Sequence, residues 1–268
     1  MHYTPDYKKT ALDALKGNWP KAIIVSLIAS IVSGVGYDRF DITVKQNYQI
    51  SSEQFLAYFR NSGILPVLSY VVAIFTGFAL IISLAYFILS GSFRMGYCTF
   101  NLNLIDNNNP QVEDLFSQIR RIIDGICLQL LTGLYTFLWA LLFVIPGIVK
   151  SFAYSMAPYI MAENPGMTAS QAITMSKELM NGKKMDLFVL KLSFLGWGLL
   201  AGIPSAIVTS IITNNIMGGG NIFTLILIVP LMMAGFVAGV ALSAYMSAAE
   251  AAFYRMNITP KYTQTTEY

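Results

Sequence analysis

Few side chains in this sequence could carry out catalysis or bind a metal. His2 is the only histidine, and the two cysteines, Cys98 and Cys127, lie in different segments. No group of His, Cys, Asp and Glu has the spacing of a metal site, and the G-x-S-x-G, P-loop and H-E-x-x-H motifs are missing. We therefore expect a protein that is not an enzyme, has no cofactor and forms no disulfide. The sequence offers no nucleophile–base pair, which also disfavours an intramembrane enzyme.

The composition predicts a membrane protein. Of the 268 residues, 55% are hydrophobic and 12% are charged, whereas soluble domains carry about 25% charge. Three long stretches contain no charged residue: 61–93, 125–149 and 192–249. A membrane-spanning helix needs about 20 apolar residues, so the first two stretches can each hold one span and the third can hold two. The net charge of +3 is too small to indicate nucleic-acid binding.

The expected fold is an all-α membrane bundle that occupies the whole chain, 1–268. Six spans are predicted, at about 20–37, 64–89, 126–145, 148–162, 187–212 and 222–249. The segment 148–162 is short and contains Pro158, so it either crosses fully or is re-entrant. The first span is expected to be retained rather than cleaved as a signal peptide.

Three short amphipathic helices are expected beside the spans, at about 7–16, 110–123 and 168–181. Each joins an apolar stretch at a glycine: Gly17, Gly125 and Gly182. Asn-Pro pairs precede the second and third helices, and Thr168 and Gln171 have the spacing of a capping box. These helices suit the headgroup plane of a membrane. The alternative for 110–123 is a helix packed on other parts of the protein.

The distribution of charge predicts the orientation. With six crossings, 13 of the 17 Lys and Arg residues fall on one side. If 148–162 does not cross, the split of these 17 residues becomes 7 to 10. Cytoplasmic loops carry the excess of Lys and Arg, so we expect six spans with both termini in the cytoplasm and the amphipathic helices on that side. The basic residues expected at the membrane surface are Lys16, Lys21, Arg120, Arg121, Lys177, Lys183 and Lys184.

A repeated motif suggests internal duplication. Residues 139–146 and 197–204 both read W-[AG]-L-L-x-x-I-P. Membrane bundles built from repeats often place function at the repeat interface. The prolines either free backbone carbonyls that line a cavity or merely end their helices. The residues expected to line a cavity at this interface are Trp139, Pro146, Tyr154, Tyr159, Trp197 and Pro204.

The stretch Leu138–Trp197 resembles an uncharacterised bacterial membrane family, the domain-of-unknown-function family numbered 975. Its most specific part is Lys150–Tyr159, which reads KSFAYSMAPY, and Ser176–Lys184 also fits. Ala14–Trp19 and Ala251–Tyr254 extend the resemblance over most of the chain. The family is more loosely similar to membrane regions of some glycerophosphodiester phosphodiesterases, but no such catalytic domain is present here. The resemblance implies a protein of the bacterial cytoplasmic membrane and no known reaction.

Two functional hypotheses follow from these features. The first is a non-enzymatic membrane protein that binds lipid or a membrane protein partner, with a role in envelope stress or antimicrobial-peptide tolerance. The alternative is a transporter of a small amphiphilic molecule, which requires the cavity at the repeat interface. Both hypotheses place the protein in the lipid bilayer.

Overall fold

The computed structural model describes residues 4–33, 64–216 and 226–257, and every regular element in these ranges is a helix. The expected all-α class is therefore confirmed for this part of the chain. Residues 34–37 of the first predicted span, 222–225 of the last one, the loop 38–63 and the tail after residue 257 lie outside the described residues.

Ten α-helices and two short 3₁₀ turns make up the described chain. The 3₁₀ turns are Val112–Phe116 and Ile119–Arg121. The helices are α1 Thr4–Leu15, α2 Trp19–Ser33, α3 Ile64–Ile105, α4 Ile122–Leu142, α5 Val144–Tyr154, α6 Ala157–Glu163, α7 Ala169–Leu179, α8 Lys184–Leu192, α9 Leu195–Ile216 and α10 Ile228–Asn257.

Four described stretches are long and apolar enough to cross a membrane: Ser69–Ile105, Val112–Leu142, Lys184–Thr213 and Ile228–Asn257. The predicted segment 148–162 is not among them, because it is divided between α5 and α6. Pro158 has no N–H to donate to the carbonyl of Tyr154, and α5 ends at that residue.

The chain divides into two compact units. The smaller unit, Arg39–Ile88, is described from Ile64 onward, where it consists of the first part of α3. Most side chains of this part from Ser69 are exposed. The larger unit, Met1–Asp38 with Leu89–Tyr268, contains the elements described below.

Within the larger unit, α3 runs antiparallel to the segment that follows it. The Ser90 hydroxyl donates to Gln129 Oε1 at 2.7 Å, and Asn103 Nδ2 donates to Asp114 Oδ2 at 3.0 Å. The later residue of α3 thus meets the earlier residue of the following segment. The end of α3 therefore lies beside the 3₁₀ turn that contains Asp114, and the first turns of α4 lie beside α3 near Ser90.

Glycines allow these two segments to approach almost to backbone contact. A Cβ atom on Gly91 would lie 2.3 Å from the carbonyl oxygen of Gly125, and one on Gly96 would lie 2.0 Å from that of Leu115. Real Cβ atoms do not approach other atoms so closely. Gly125 is therefore not a helix end, as its position after an amphipathic segment had suggested, but a crossing point inside α4.

Residues 110–123 differ from the expected single helix, because they fold as two 3₁₀ turns leading into α4. Asn107 and Asn109 have φ values of 56° and 48°, so the Asn-rich run makes a turn after α3 and does not cap a helix. The Asp114 carboxylate accepts a hydrogen bond from the backbone N–H of Gln111 at 3.0 Å. Leu115 is buried, whereas Phe116, Ile119 and Ile123 are exposed, so only part of the apolar side of this segment packs against protein.

Helices α4 and α5 form an antiparallel hairpin. Phe143 between them is extended, with φ −159° and ψ 144°. A Cβ atom on Gly147 would lie 2.7 Å from Cβ of Ala140 near the tip, and the rings of Tyr135 and Tyr154 are 6.2 Å apart farther down. Residues later in α5 therefore contact residues earlier in α4, as in any antiparallel pair of helices.

Helix α6 continues this return to the end where α4 begins. Arg121, which immediately precedes α4, donates from Nη1 to the carbonyl oxygen of Met161 in α6 at 2.8 Å. Together α5 and α6 cover about the same length as α4. The chain therefore enters α4 and, after α5 and α6, returns to the same end of the α4–α5 hairpin.

Helix α7 begins with the capping box that the sequence predicts. The backbone N–H of Gln171 donates to Thr168 Oγ1 at 3.4 Å, and the Thr168 N–H donates to Gln171 Oε1 at 3.0 Å. The buried side of α7 includes Ala172 and Ser176, and the Ser176 hydroxyl donates to the carbonyl of Ala153 at 2.8 Å. Its apolar side therefore packs on α5 and its neighbours.

The helix stops at Gly17 and Gly182 also follow the prediction. Their φ values are 81° and 77°, in the left-handed region where glycine commonly ends a helix. Each stop allows an abrupt change of direction between a short amphipathic helix and the helix after it. Gly125, the third predicted joint, lies within a continuous helix, so the three joints do not share one structure.

Helices α9 and α10 form a second antiparallel hairpin. The ring of Phe194, just before α9, lies 4.9 Å from that of Tyr245 in α10. Nearer the tip, a Cβ atom on Gly235 would lie 3.3 Å from Cβ of Pro204. The core of the larger unit forms where the bases of both hairpins meet α1, α2 and the end of α3. Its largest fully buried side chains include Tyr7, Leu15, Met95, Phe100, Met156, Met180 and Phe253.

Candidate functional site

Three of the six residues predicted to line a cavity lie on the α4–α5 hairpin. The Tyr154 side chain lies near that of Trp139, and the Lys150 ammonium lies 4.4 Å from the centre of the Trp139 ring. Pro146 is in the first turn of α5, where a missing N–H costs little. Tyr154 of α5 is buried next to the more exposed Trp139 of α4. This contact packs α5 against α4.

The other three lie elsewhere in the larger unit. Tyr159 of α6 is buried and its ring stacks on Tyr254 of α10, with centroids 5.3 Å apart. Trp197 is 60% exposed at the start of α9. Pro204, farther along α9, faces Gly235. The structure thus brings together Trp139 and Tyr154, and a cavity shared by all six remains a prediction.

The two copies of the W-[AG]-L-L-x-x-I-P motif have different structures. The first copy contains the turn at Phe143 between α4 and α5, whereas the second lies inside the continuous helix α9. The same sequence motif therefore lies at the tip of a hairpin in its first copy and in the middle of a continuous helix in its second copy. The pseudo-repeat is not confirmed.

The predicted membrane-surface basic residues have different environments. Arg120 and Lys177 are exposed, and Lys184 is partly exposed. Lys16 pairs with Asp13 at 2.6 Å, and Lys183 lies 3.9 Å from Asp186.

Lys21 and Arg121 act as internal ties between segments. Lys21 Nζ donates to the carbonyl of Pro110 at 3.1 Å. Arg121 Nε donates to Asp124 at 2.9 Å, in addition to the bond with Met161. The Arg121 side chain is only 15% exposed, so it contributes to packing more than to a charged surface.

Several polar contacts that join distant segments had no signal in the sequence. Lys191 and Glu250 form an ion pair at 2.9 Å between α8 and α10. The hydroxyl groups of Ser26 and Tyr97 are 2.7 Å apart and join α2 to α3. Each partner is ordinary in its local sequence, so only the fold reveals the pairing.

A larger cluster joins the ends of three helices around Arg255. Its guanidinium binds Asp106 through two bonds, Nε to Oδ1 at 2.9 Å and Nη2 to Oδ2 at 2.5 Å. The same guanidinium also binds Glu163, which accepts a hydrogen bond from the Tyr254 hydroxyl at 2.7 Å. We call these four residues the Arg255 cluster.

Two open depressions mark the surface of the described residues. The first, which we call the lysine groove, has a volume of about 760 Å³ and lies between α1 and α8. It is lined by Lys8, Lys9, Leu12, Asp13, Lys16, Val189 and Ser193. The second, the α7 groove, has a volume of about 440 Å³ and is lined by Met167, Ser170, Gln171, Thr174, Met175 and Glu178.

The four long apolar stretches and the core formed at the helix ends define a membrane-embedded helical protein. Residues 141–261 match the model of the family described as "Protein of unknown function (DUF975)", so the chain is similar to that family over this stretch. The match confirms the resemblance seen in the sequence, while Ala14–Trp19 lies outside the matched residues. No curated protein and no solved structure matched the chain.

Proposed function

We propose that this chain is a non-enzymatic membrane protein with six crossings that binds lipid at the end where its hairpins begin. The observation that carries the proposal is the lysine groove, in which basic side chains border exposed apolar ones. The groove lies at the start of Lys184–Thr213, one of the stretches able to cross a membrane. An amphipathic ligand fits such a boundary because it has both a charged and an apolar part.

The directions of the helices support six crossings. Lys21 of α2 contacts Pro110 and Ser26 contacts Tyr97, so α2 runs antiparallel to the end of α3. Helix α4 then leaves this end and α5 with α6 returns to it. Helices α8 and α9 leave again and α10 returns, since Lys191 and Glu250 pair at the base of that hairpin.

This arrangement supports a common side for α1 and the end of α10. Six crossings also leave 13 of the 17 Lys and Arg residues on that side, which the positive-inside rule assigns to the cytoplasm. We therefore propose a bacterial cytoplasmic membrane protein with both termini inside.

Accessible cysteines test this orientation. In a Cys127→Ala background, Lys9→Cys and Lys177→Cys are each expected to react with a membrane-impermeant maleimide in inverted vesicles and not in intact cells. Arg60→Cys should show the opposite pattern. Cys98 is buried and provides the unlabelled background. Labelling of Lys9→Cys and Lys177→Cys from opposite sides would contradict the six-span topology.

The commitment of the polar side chains supports a non-enzymatic role. The charged groups of the Arg255 cluster, the Lys191–Glu250 pair and Arg121 all join one helix to another. These contacts stabilise the packing of the helices. Each of these charged groups already has an ion-pair or hydrogen-bond partner within the protein.

The geometry favours binding over transport. Both described depressions are open at the surface, and the lysine groove is reached from the side of α1 and α8. A transporter of a small amphiphile instead needs a route between the hairpins. A membrane protein partner on the same surface is the companion hypothesis, and a role in envelope stress or antimicrobial-peptide tolerance is compatible with either form of binding.

Native mass spectrometry of the protein released gently from its own membrane tests the function. We expect a stoichiometric phospholipid to remain bound. A retained protein partner without lipid would instead indicate an accessory role, and a bare monomer would contradict lipid binding. A small amphiphile that is not a membrane lipid would favour the transporter, to be checked by its uptake into proteoliposomes.

A further inference from the structure

The lysine groove combines one face of α1 with one side of α8. One wall of the groove consists of residues whose spacing places them along the same side of a helix: Lys8, Lys9, Leu12, Asp13 and Lys16. Val189 and Ser193 form the opposite wall. The groove is therefore built from two helices that are far apart in the chain, Thr4–Leu15 and Lys184–Leu192, and its shape depends on how they pack.

The position of Lys8 is fixed by its contacts. Its Nζ donates to the carbonyl oxygen of Ser193 at 3.1 Å and lies 4.3 Å from the centre of the Phe194 ring. The hydroxyl of Tyr245 donates to the Lys8 carbonyl at 3.4 Å. Burial lowers the pKa of the Lys8 ammonium below its usual range, so its positive charge is held at the wall of the groove with incomplete hydration.

The charges along the groove leave an excess of positive charge. Lys16 forms an ion pair with Asp13 at 2.6 Å, and its ammonium lowers the pKa of that carboxyl group. Lys9 also acts on Asp13, but the lining contains the three lysines Lys8, Lys9 and Lys16 and one acid, so two positive charges remain in excess. An anion of charge −1 or −2 complements this pair.

The apolar part of the lining indicates what the anion is attached to. Leu12 is 40% exposed and Val189 is 43% exposed. On α8, Val189 continues into further exposed apolar side chains, Met185 and Leu192. A free inorganic anion would leave this surface uncovered, whereas an acyl chain would cover it.

The α7 groove provides a useful contrast. Glu178 is the only charged residue in its lining, so an anion has no counter-charge there. Lys177 is nevertheless exposed on the same helix. This makes Lys177 a control for the general effect of a surface lysine.

We propose that the lysine groove binds an anionic phospholipid, with the phosphate near Lys8 and Lys9 and an acyl chain along Val189. This inference rests on the proposed lipid-binding function and adds the site and the class of lipid. The groove lies at the start of a stretch able to cross the membrane, and in the proposed topology this start is where phosphate groups and acyl chains meet. Basic residues at a membrane surface attract anionic lipid.

The test compares lipid binding by full-length variants in detergent, using phosphatidylglycerol and phosphatidylcholine of the same acyl length. Native mass spectrometry gives the bound fraction at each lipid concentration. We expect phosphatidylglycerol to be preferred by the unmodified protein. Lys9→Gln should weaken its binding about fivefold and Lys9→Glu about thirtyfold, since each unit of charge near the surface has a similar effect.

Lys177→Glu is the matched control, and it should leave phosphatidylglycerol binding unchanged. Lys9 is exposed, so its variants should unfold at the same temperature as the unmodified protein. A Leu12→Asn variant should weaken both lipids by the same factor, because it removes only apolar contact.

Three results would overturn the assignment. One is equal loss of binding in Lys9→Glu and Lys177→Glu, which would show a general charge effect. Another is unchanged binding in all groove variants, which would place the lipid elsewhere while the proposed function stands. The third is full displacement of the lipid by millimolar inorganic phosphate, which would identify an anion site without an acyl subsite. If the unmodified protein binds neither lipid, the proposed function itself fails.

Discussion

A Gly96→Ala variant is expected to lose about 3 kcal/mol or more of folding free energy, because overpacking a close contact costs about 1–3 kcal/mol even where neighbours can move. Here the new methyl group would lie 2.0 Å from the carbonyl oxygen and 2.7 Å from the carbonyl carbon of Leu115. Both are backbone atoms, so no rotamer change relieves the clash. The 3₁₀ turn at Leu115 would have to move away from α3, and the buried Leu115 would lose its packing.

The same helix provides the control. Gly77 lies earlier in α3 and has no atom within 4 Å of its Cβ position, so Gly77→Ala should fold normally. Gly133→Ala is the equivalent control in α4, to be compared with Gly125→Ala at the backbone crossing. The yield of monodisperse protein and its unfolding temperature in detergent measure the difference. If Gly96→Ala unfolds at the same temperature as Gly77→Ala, the close approach of the two segments is wrong.

An Arg255→Ala variant is expected to give the second large effect. The substitution leaves Asp106 and Glu163 without their common cation, and the two carboxylates belong to different segments of the chain. The three side chains are 22–29% exposed, so the loss should be about 2–3 kcal/mol, below the 3–5 kcal/mol measured when a fully buried pair is broken. We expect the ends of α3, α6 and α10 to separate more readily.

Limited proteolysis and thermal unfolding measure this effect. Arg255→Lys keeps the charge but cannot bind Asp106 through two parallel bonds, so it should fall between Arg255→Ala and the unmodified protein. Arg120→Ala removes an exposed arginine, so it should leave the unfolding temperature unchanged. Asp106→Asn combined with Glu163→Gln should recover part of the stability of Arg255→Ala, since it removes the unpaired charges. Equal unfolding temperatures for Arg255→Ala and Arg120→Ala would show that the cluster contributes nothing.

The contrast between these variants reflects how close packing works in this fold. Small residues permit backbones to approach, which helix contacts in membranes use in place of a strong hydrophobic driving force. The sequence had drawn attention to glycines at the ends of amphipathic segments. The structure shows that Gly17 and Gly182 are such ends, whereas Gly91, Gly96 and Gly125 act through contact with another segment.

The candidate sites show the same division between local and distant information. Trp139, Tyr154 and Lys150 meet because they lie on two helices joined by one turn, so their proximity could be anticipated from nearby residues. The lysine groove could not be anticipated, because α8 supplies Val189 and Ser193 to a face of α1 near the other end of the chain. A run of lysines by itself predicts a membrane surface and not a groove.

By itself, the sequence determined the all-helical class, the apolar stretches, the Thr168–Gln171 cap, the helix stops at two glycines and the resemblance to a family. All of these depend on composition or on residues a few positions apart, where hydrophobicity and backbone conformational preference act directly. Only the tertiary structure decided that Gly125 is a crossing, that residues 110–121 form 3₁₀ turns and that Lys191 pairs with Glu250. Those features depend on contacts between segments distant in the chain, whose pairing is chosen by the packing of whole helices.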